Sequence, residues 1–267
     1  MEIVNFRVRP TPGAGAGAGF WLMVIAGGMV FGSDLSRADF AARARADCQR
    51  AQARYQADTD NPEAARQFAR AAFDCHDFVT NNAQRAELAL QGIAACRHVV
   101  ERNSNSVPGH YYLGLELGRL ADTKRNVAGL KLVREMEREF RAADTLDEHY
   151  DYAGPARCLG LLYRDAPGWP MSIGSRRRAR EWLERAVKLE PDYPENRLYL
   201  AESYWQWKDR EAAGNELKRL DALWPSARTN FTGEAWEYSW VDWSARRDAV
   251  REKIDAAQTK KPKNSGD

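Results

Sequence analysis

The chain has 267 residues, with 40 Lys and Arg against 38 Asp and Glu and a formal net charge of +2. This near-neutral balance does not indicate a broad nucleic-acid or membrane-binding face, and the length can bury a sizeable core as one large domain or two small ones. Ala, Arg, Leu and Glu dominate, all good helix formers, and period-two runs of Val, Ile and Thr are absent, so strands are excluded and an all-α fold is expected.

Residues 1–33 read as an export segment. Arg7 and Arg9 precede an alternating Gly-Ala run, Gly13 to Gly19, and then an apolar stretch, Phe20 to Phe31. A basic region followed by such an apolar core is the pattern of a secretory signal, and Val30 and Gly32 are small enough to flank cleavage near Gly32. The uncharged run from Gly13 to Gly32 is also just long enough to span a bilayer as an uncleaved anchor. No strand precedes the glycines, so a nucleotide-binding glycine loop is excluded.

Residues 34–258 carry helical periodicity. Helices are predicted over 36–57, 62–79, 83–103, 108–121, 126–143, 153–164, 175–190, 195–208, 210–224 and 239–257, as antiparallel pairs. Asn61-Pro62 and Val107-Pro108 mark two of the starts, because proline is tolerated in a first turn. If the first two helices turn near Asp60, Cys48 comes close to Cys75, and that pair is the candidate disulfide of an exported chain. Equally, Cys48, Cys75, Cys96 and Cys158 serve as small buried apolar side chains.

The later helices align with one another. Leu200-Ala201-x-x-Tyr204, Ala213-x-x-x-Leu217 and Pro225 match Leu159-Gly160-x-x-Tyr163, Ala179-x-x-x-Leu183 and Pro191, and the two prolines stand 34 residues apart. That is the period and pattern of a tetratricopeptide repeat. The small residue lets the two helices of a unit approach, the aromatic fills the space beside it, and the proline stops the second helix. Leu113-Gly114-x-x-Leu117 opens a further unit upstream. Trp236, Trp240 and Trp243 share one helical face, which docks the last helix as a cap on the array or lines an aromatic groove. Residues 259–267, polar and rich in Lys, are expected to be a disordered tail.

The stretch Arg164 to Arg178 enlarges one turn by seven residues relative to the next repeat, since Tyr163 to Ala179 spans 16 positions and Tyr204 to Ala213 spans 9. Ser175 is placed as an N-cap, with Arg176, Arg177 and Arg178 in the first helical turn. Cations there are mildly unfavourable. Either they converge on an anionic partner, or they form a solvated basic turn offset by Glu181 and Glu184. Trp169 in the same turn covers the small-residue seam or faces a partner.

No arrangement for catalysis or cofactor binding is found. GxSxG, HExxH and phosphate-loop signatures are absent, and Cys75-His76 and Cys96-x-His98 fit no usual zinc spacing. No metal or cofactor is expected, and the chain reads as a non-enzyme.

Several segments together resemble the TatT family, the tetratricopeptide component associated with TRAP-type tripartite solute transporters. They are Gly109 to Gly114 with Leu117 to Ala121, Gly154 to Arg157 with Leu159-Gly160, Pro167 to Pro170 with Ile173-Gly174, Ala179 to Glu184, and Pro194 to Leu198 with Leu200 to Tyr204. The resemblance spans residues 62–225. It implies an exported, all-helical, non-catalytic scaffold in the periplasm or cell envelope. It implies a protein partner such as a periplasmic solute-binding subunit, and an apolar ligand path between helices. Members are often lipoproteins, and no lipid-acceptor cysteine follows the apolar run here. A general envelope assembly scaffold and a helical carrier of a small apolar ligand are the alternatives. Membrane contact is expected only through an uncleaved N-terminal segment.

Overall fold

In the computed structural model of the protein, residues 37–124 and 127–259 are described. Residues 1–33, read above as an export segment, and the expected tail beyond Thr259 lie outside them. The helices are α1 (Arg37–Ala57), α2 (Pro62–Cys75), α3 (Asn82–Arg102), α4 (Val107–Thr123), α5 (Val127–Leu146), α6 (Tyr150–Asp165), α7 (Arg176–Leu189), α8 (Pro194–Gln206), α9 (Arg210–Asn230) and α10 (Glu234–Thr259). A short 3-10 turn, His76–Phe78, follows α2 and takes the place of the last residues expected in that helix. Among the described residues there is no strand, and no helix is long and apolar enough to cross a membrane.

Local chemistry sets the helix starts. The Asn61 side chain accepts from the amides of Glu63 and Ala64, both at 3.1 Å, with Pro62 at the first position. Asn81, Ser106 and Asp209 cap α3, α4 and α9 in the same way. Each cap satisfies amides that the first turn leaves without a partner. In α7 the buried residues are Ala179, Leu183 and Ala186, spaced three and four apart on a single face.

Helices pair as α2 with α3, α4 with α5, α6 with α7 and α8 with α9, and each pair packs on the next. The repeat positions govern the approach. A methyl group on Gly160 would lie 2.6 Å from Leu183 Cγ, and one on Gly114 would lie 2.5 Å from Phe140. Ala201, Ala213 and Leu217 are buried at the equivalent contact of the last pair, beneath Leu200 at 2% exposure. The aromatics knit one pair to the next through their hydroxyls. Tyr163 on α6 donates to Glu137 on α5, and Tyr204 on α8 donates to Glu184 on α7 at 2.6 Å.

Three features depart from the predicted helices. Pro191 follows the end of α7, but Pro225 lies inside α9 and does not stop it. Pro225 itself is exposed, while Ala227 and Phe231 beyond it are drawn into the core. The last helix starts five residues before the expected 239, because Trp236 is buried with the other two tryptophans. And α6 begins with a left-handed turn, with φ of 52° at Asp151, 55° at Tyr152 and 58° at Ala153.

Left-handed backbone costs an L-residue about 1–2 kcal/mol each. Side chains from α4, α6 and α8, with Tyr193 just before α8, hold this turn. Arg157, fully buried, donates to the carbonyls of Tyr152 at 3.0 Å and Asp151 at 3.3 Å. Asn196 on α8 donates to the Tyr152 carbonyl at 3.1 Å, and the Tyr152 ring stacks on Tyr193 with centroids 4.5 Å apart. Tyr111 on α4 donates to the Asp151 carboxylate, which also meets Arg157 at 3.2 Å.

α10 docks through its tryptophans. Trp236 packs edge-on against Tyr152 at 5.9 Å and Trp243 against Tyr193 at 5.5 Å, while Trp240 Nε1 donates to the Phe231 carbonyl at 2.7 Å. Further along, Arg246 grips Glu202 on α8 with two hydrogen bonds of 2.6 and 2.8 Å and lies over the Tyr199 ring. The tryptophan face therefore buries itself as a cap.

Candidate functional site

The enlarged turn runs from Ala166 to Ser175. Backbone bonds from Gly174 to the Pro167 carbonyl (2.9 Å), from Ser175 to the Tyr163 carbonyl (2.8 Å) and from Met171 to the Gly168 carbonyl (3.1 Å) close it into a defined loop. Gly168 and Gly174 pair across its neck. A methyl group on Gly174 would sit 2.0 Å from the Ala166 carbonyl oxygen, so only glycine fits there. Ser175 caps α7, its hydroxyl accepting from the Arg178 amide. At the tip, Trp169 is 89% exposed and Met171 is 67% exposed. Trp169 thus does not cover the small-residue seam; Leu183 fills that contact.

The three arginines do not meet at one point. Arg176 lies over the Trp207 ring at 5.5 Å, Arg177 pairs with Glu181 at 2.6 Å, and Arg178 lies over the Tyr163 ring at 5.2 Å with Glu137 3.8 Å away. Each is engaged by a different neighbour, so the anion cradle considered for this turn is not assembled. Arg176 and Arg178 instead cover the rings of Trp207, just past α8, and Tyr163 on α6.

Cys48 and Cys75 are brought together as buried thiols sharing a hydrogen bond. That bond raises the Cys48 thiol above its ordinary range and lowers Cys75. Cys96 and Cys158 are buried apart from them as small core side chains.

A second location has no counterpart in the sequence reading. A pocket of about 590 Å³ opens where α1, the end of α2 and the start of α10 meet. Tyr238 of α10 sits between Phe40 of α1 and Phe78, with ring centroids 5.1 Å from each. Charged groups line the rest. Arg43 pairs with Glu234 at 2.8 Å and Glu237 at 3.1 Å, Arg50 pairs with Asp47, and Asp77 receives Arg119 at 2.8 Å. Asp74 also lines the pocket. Burial pushes its carboxyl up to about 7, opposed by Arg70 and Arg119 and assisted by Asp77 and Asp151.

Behind this wall, His76 Nε2 lies 3.1 Å from Glu116 Oε2, both side chains fully buried. Burial drives both groups toward their neutral forms. His76 falls to about 2, helped by the nearby Arg119 and Arg85, and Glu116 rises well above the carboxylate range. A methyl group on Gly92 would lie 2.6 Å from the Glu116 carboxyl carbon, so the acid is wedged against α3. The pair is a neutral hydrogen bond that anchors the 3-10 turn. No spacing rule connects residues 40, 74 and 238, so nothing in the sequence announces the pocket.

The sequence matches no protein-family model and no curated protein. Among solved structures the fold is similar to TTC0263, a thermophilic TPR protein of Thermus thermophilus. The identity is 18%, the TM-score is 0.58, and the match covers 78% of this chain and 91% of that one. MamA is also matched, at 17% identity and a TM-score of 0.46, over 71% of this chain and 91% of its own. With the helix pairing and repeat contacts above, the first likeness makes the fold an all-α array of the tetratricopeptide type.

Proposed function

We propose that the protein is an exported, non-catalytic interaction scaffold that docks a protein partner through the α6–α7 turn. The observation that carries this reading is the indole of Trp169, 89% exposed on a loop closed by its own backbone hydrogen bonds. An aromatic of this size held in water forgoes a burial worth several kcal/mol, at about 25 cal/mol per Å² over about 150–250 Å². Tryptophan on a pre-ordered loop is the residue type that anchors interfaces, because little entropy remains to be lost on docking. Met171 beside it adds an adaptable apolar contact.

The narrower assignment is to an accessory component of a TRAP-type solute uptake system in the periplasm or envelope, with a solute-binding subunit as partner. Its support is the set of segments resembling the TatT family, among them the turn itself, Pro167 to Pro170 with Ile173-Gly174.

The test is affinity capture from an envelope fraction with the parent chain and with Trp169→Ala, followed by titration of the captured partner. We expect a solute-binding subunit to be recovered, and Trp169→Ala to weaken its binding by about 2–3 kcal/mol, some 30- to 150-fold, with melting unchanged. Equal binding by Trp169→Ala would remove the turn as docking element. Recovery of envelope assembly proteins and no transporter subunit would overturn the uptake assignment.

A further inference from the structure

We infer that the pocket between α1, the end of α2 and α10 binds an organic cation, a primary ammonium or guanidinium group, with Asp74 as counter-ion and Phe40, Phe78 and Tyr238 as its aromatic wall. This goes beyond docking by the α6–α7 turn and uses none of its residues. Its volume, about 590 Å³, is that of a small-molecule site.

The charge pairing selects the sign of the ligand. Each arginine in the lining is already engaged, Arg43 by Glu234 and Glu237 and Arg50 by Asp47. Asp77 is engaged by Arg119. Asp74 is the lining carboxylate with no hydrogen bond or ion pair among the described residues. An incoming anion would have to break an existing pair, whereas a cation finds a carboxylate waiting. The rings favour the same sign, since aromatic faces attract cations. The Phe78 ring already carries the Arg37 guanidinium 5.5 Å from its centroid.

Asp74 also makes binding depend on pH. The groups around it are Arg70 and Cys75 on its own helix, Cys48 on α1, Asp77 in the 3-10 turn, Tyr112, Glu116 and Arg119 on α4, and Asp151 on α6. Across the pocket stand Arg43, Asp47 and Arg50 on α1, and Glu234 and Tyr238 on α10. With Asp74 held at about 7, the empty site is largely protonated in mild acid. A cation binds the ionised form, so the proton leaves as the ligand enters.

Calorimetric titration of the full chain tests the inference. The probes are phenethylamine and agmatine as free cations, a short peptide carrying lysine beside phenylalanine, and phenylacetate as an anion of similar shape. We expect saturable binding of a cation and none of phenylacetate. Preference for the free amines marks a small-molecule site, and preference for the peptide marks a side chain of a protein ligand. Affinity should rise about tenfold per pH unit up to about pH 7 and level off above it. Asp74→Asn should lower affinity at least tenfold at pH 8 and melt no lower than the parent, because it removes an uncompensated carboxylate. No cation binding at millimolar concentration, equal binding of phenylacetate, a flat pH profile or an unaffected Asp74→Asn would each overturn the site. Should Asp74→Asn fail to fold, the pH profile of the parent and the loss expected in Tyr238→Ala decide the matter.

Discussion

Gly160 and Gly214 show how one residue type serves opposite ends in the same array. A methyl group on Gly160 would press on Leu183 at 2.6 Å and on its backbone nitrogen at 3.1 Å, whereas one on Gly214 in α9 would meet nothing within 4 Å. Gly160→Ala should therefore cost about 1–3 kcal/mol through overpacking. Gly214→Ala should add about 0.5–1 kcal/mol by restricting the unfolded chain and favouring helix. Urea denaturation of the two variants measures both, and a neutral Gly160→Ala would show that close approach does not hold the α6–α7 pair together. Gly160 was legible in the sequence because its neighbours at fixed offsets, Leu159 and Tyr163, announce the register. Of the arginines at 176–178, the Arg177 pair with Glu181 was legible from its i,i+4 spacing, and the ring contacts of Arg176 and Arg178 were not. Those two rings, Trp207 and Tyr163, lie outside α7 and at no fixed spacing from the arginines. Asp74 was not legible at all, since its meaning comes from Phe40 and Tyr238, which no local period relates to it.

At the scale of elements, boundaries followed caps where caps existed and yielded to packing where it was stronger. Asn61-Pro62 started α2 as read. Pro225 did not end α9, because a single missing amide on an exposed face costs less than withdrawing Ala227 and Phe231 from the core. The left-handed entry to α6 was hidden for a similar reason. Asp151 follows Asp147 and Glu148 closely in sequence, a polar setting that gives no sign of burial, yet it is buried beneath Tyr111 and beside Arg157. The α1–α2 pair makes a sharper test. Cys48 and Cys75 already share a hydrogen bond inside the small core formed with Ala51, Ala65, Phe68 and Ala72. Mild oxidation of the full chain with a disulfide donor such as oxidised glutathione should link these two in preference to Cys96 or Cys158. Closing that loop should stabilise the fold by about 3 kcal/mol and raise melting by about 5–10 °C. Peptide mapping under non-reducing conditions identifies the pair, and a link through Cys96 or Cys158 would show that the α1–α2 packing is not as described.

Over the whole molecule, α10 changes what kind of array this is. In an open helical repeat each unit touches only its neighbours, so distant units unfold with little regard for one another. Here α10 leans on Tyr152, Tyr193 and Tyr199 of α6 and α8, and its first turns reach α1 through Tyr238 on Phe40 and through Glu234 and Glu237 on Arg43. The first and last helices are thereby joined, and the cation pocket lies at their junction. Buried aromatic contact supplies most of that coupling, about 2–3 kcal/mol, because the exposed Arg43 pairs add little. Eight of the nine tryptophans lie at or beyond residue 169, so their fluorescence reports the C-terminal half, while far-UV circular dichroism reports every helix. We expect the two signals to coincide during urea unfolding of the parent chain. In the double variant Arg43→Ala with Tyr238→Ala they should separate, with helicity falling first as α1 to α3 melt alone. Coincident transitions in that variant would mean that the stacked pairs, not the closure by α10, carry the cooperativity.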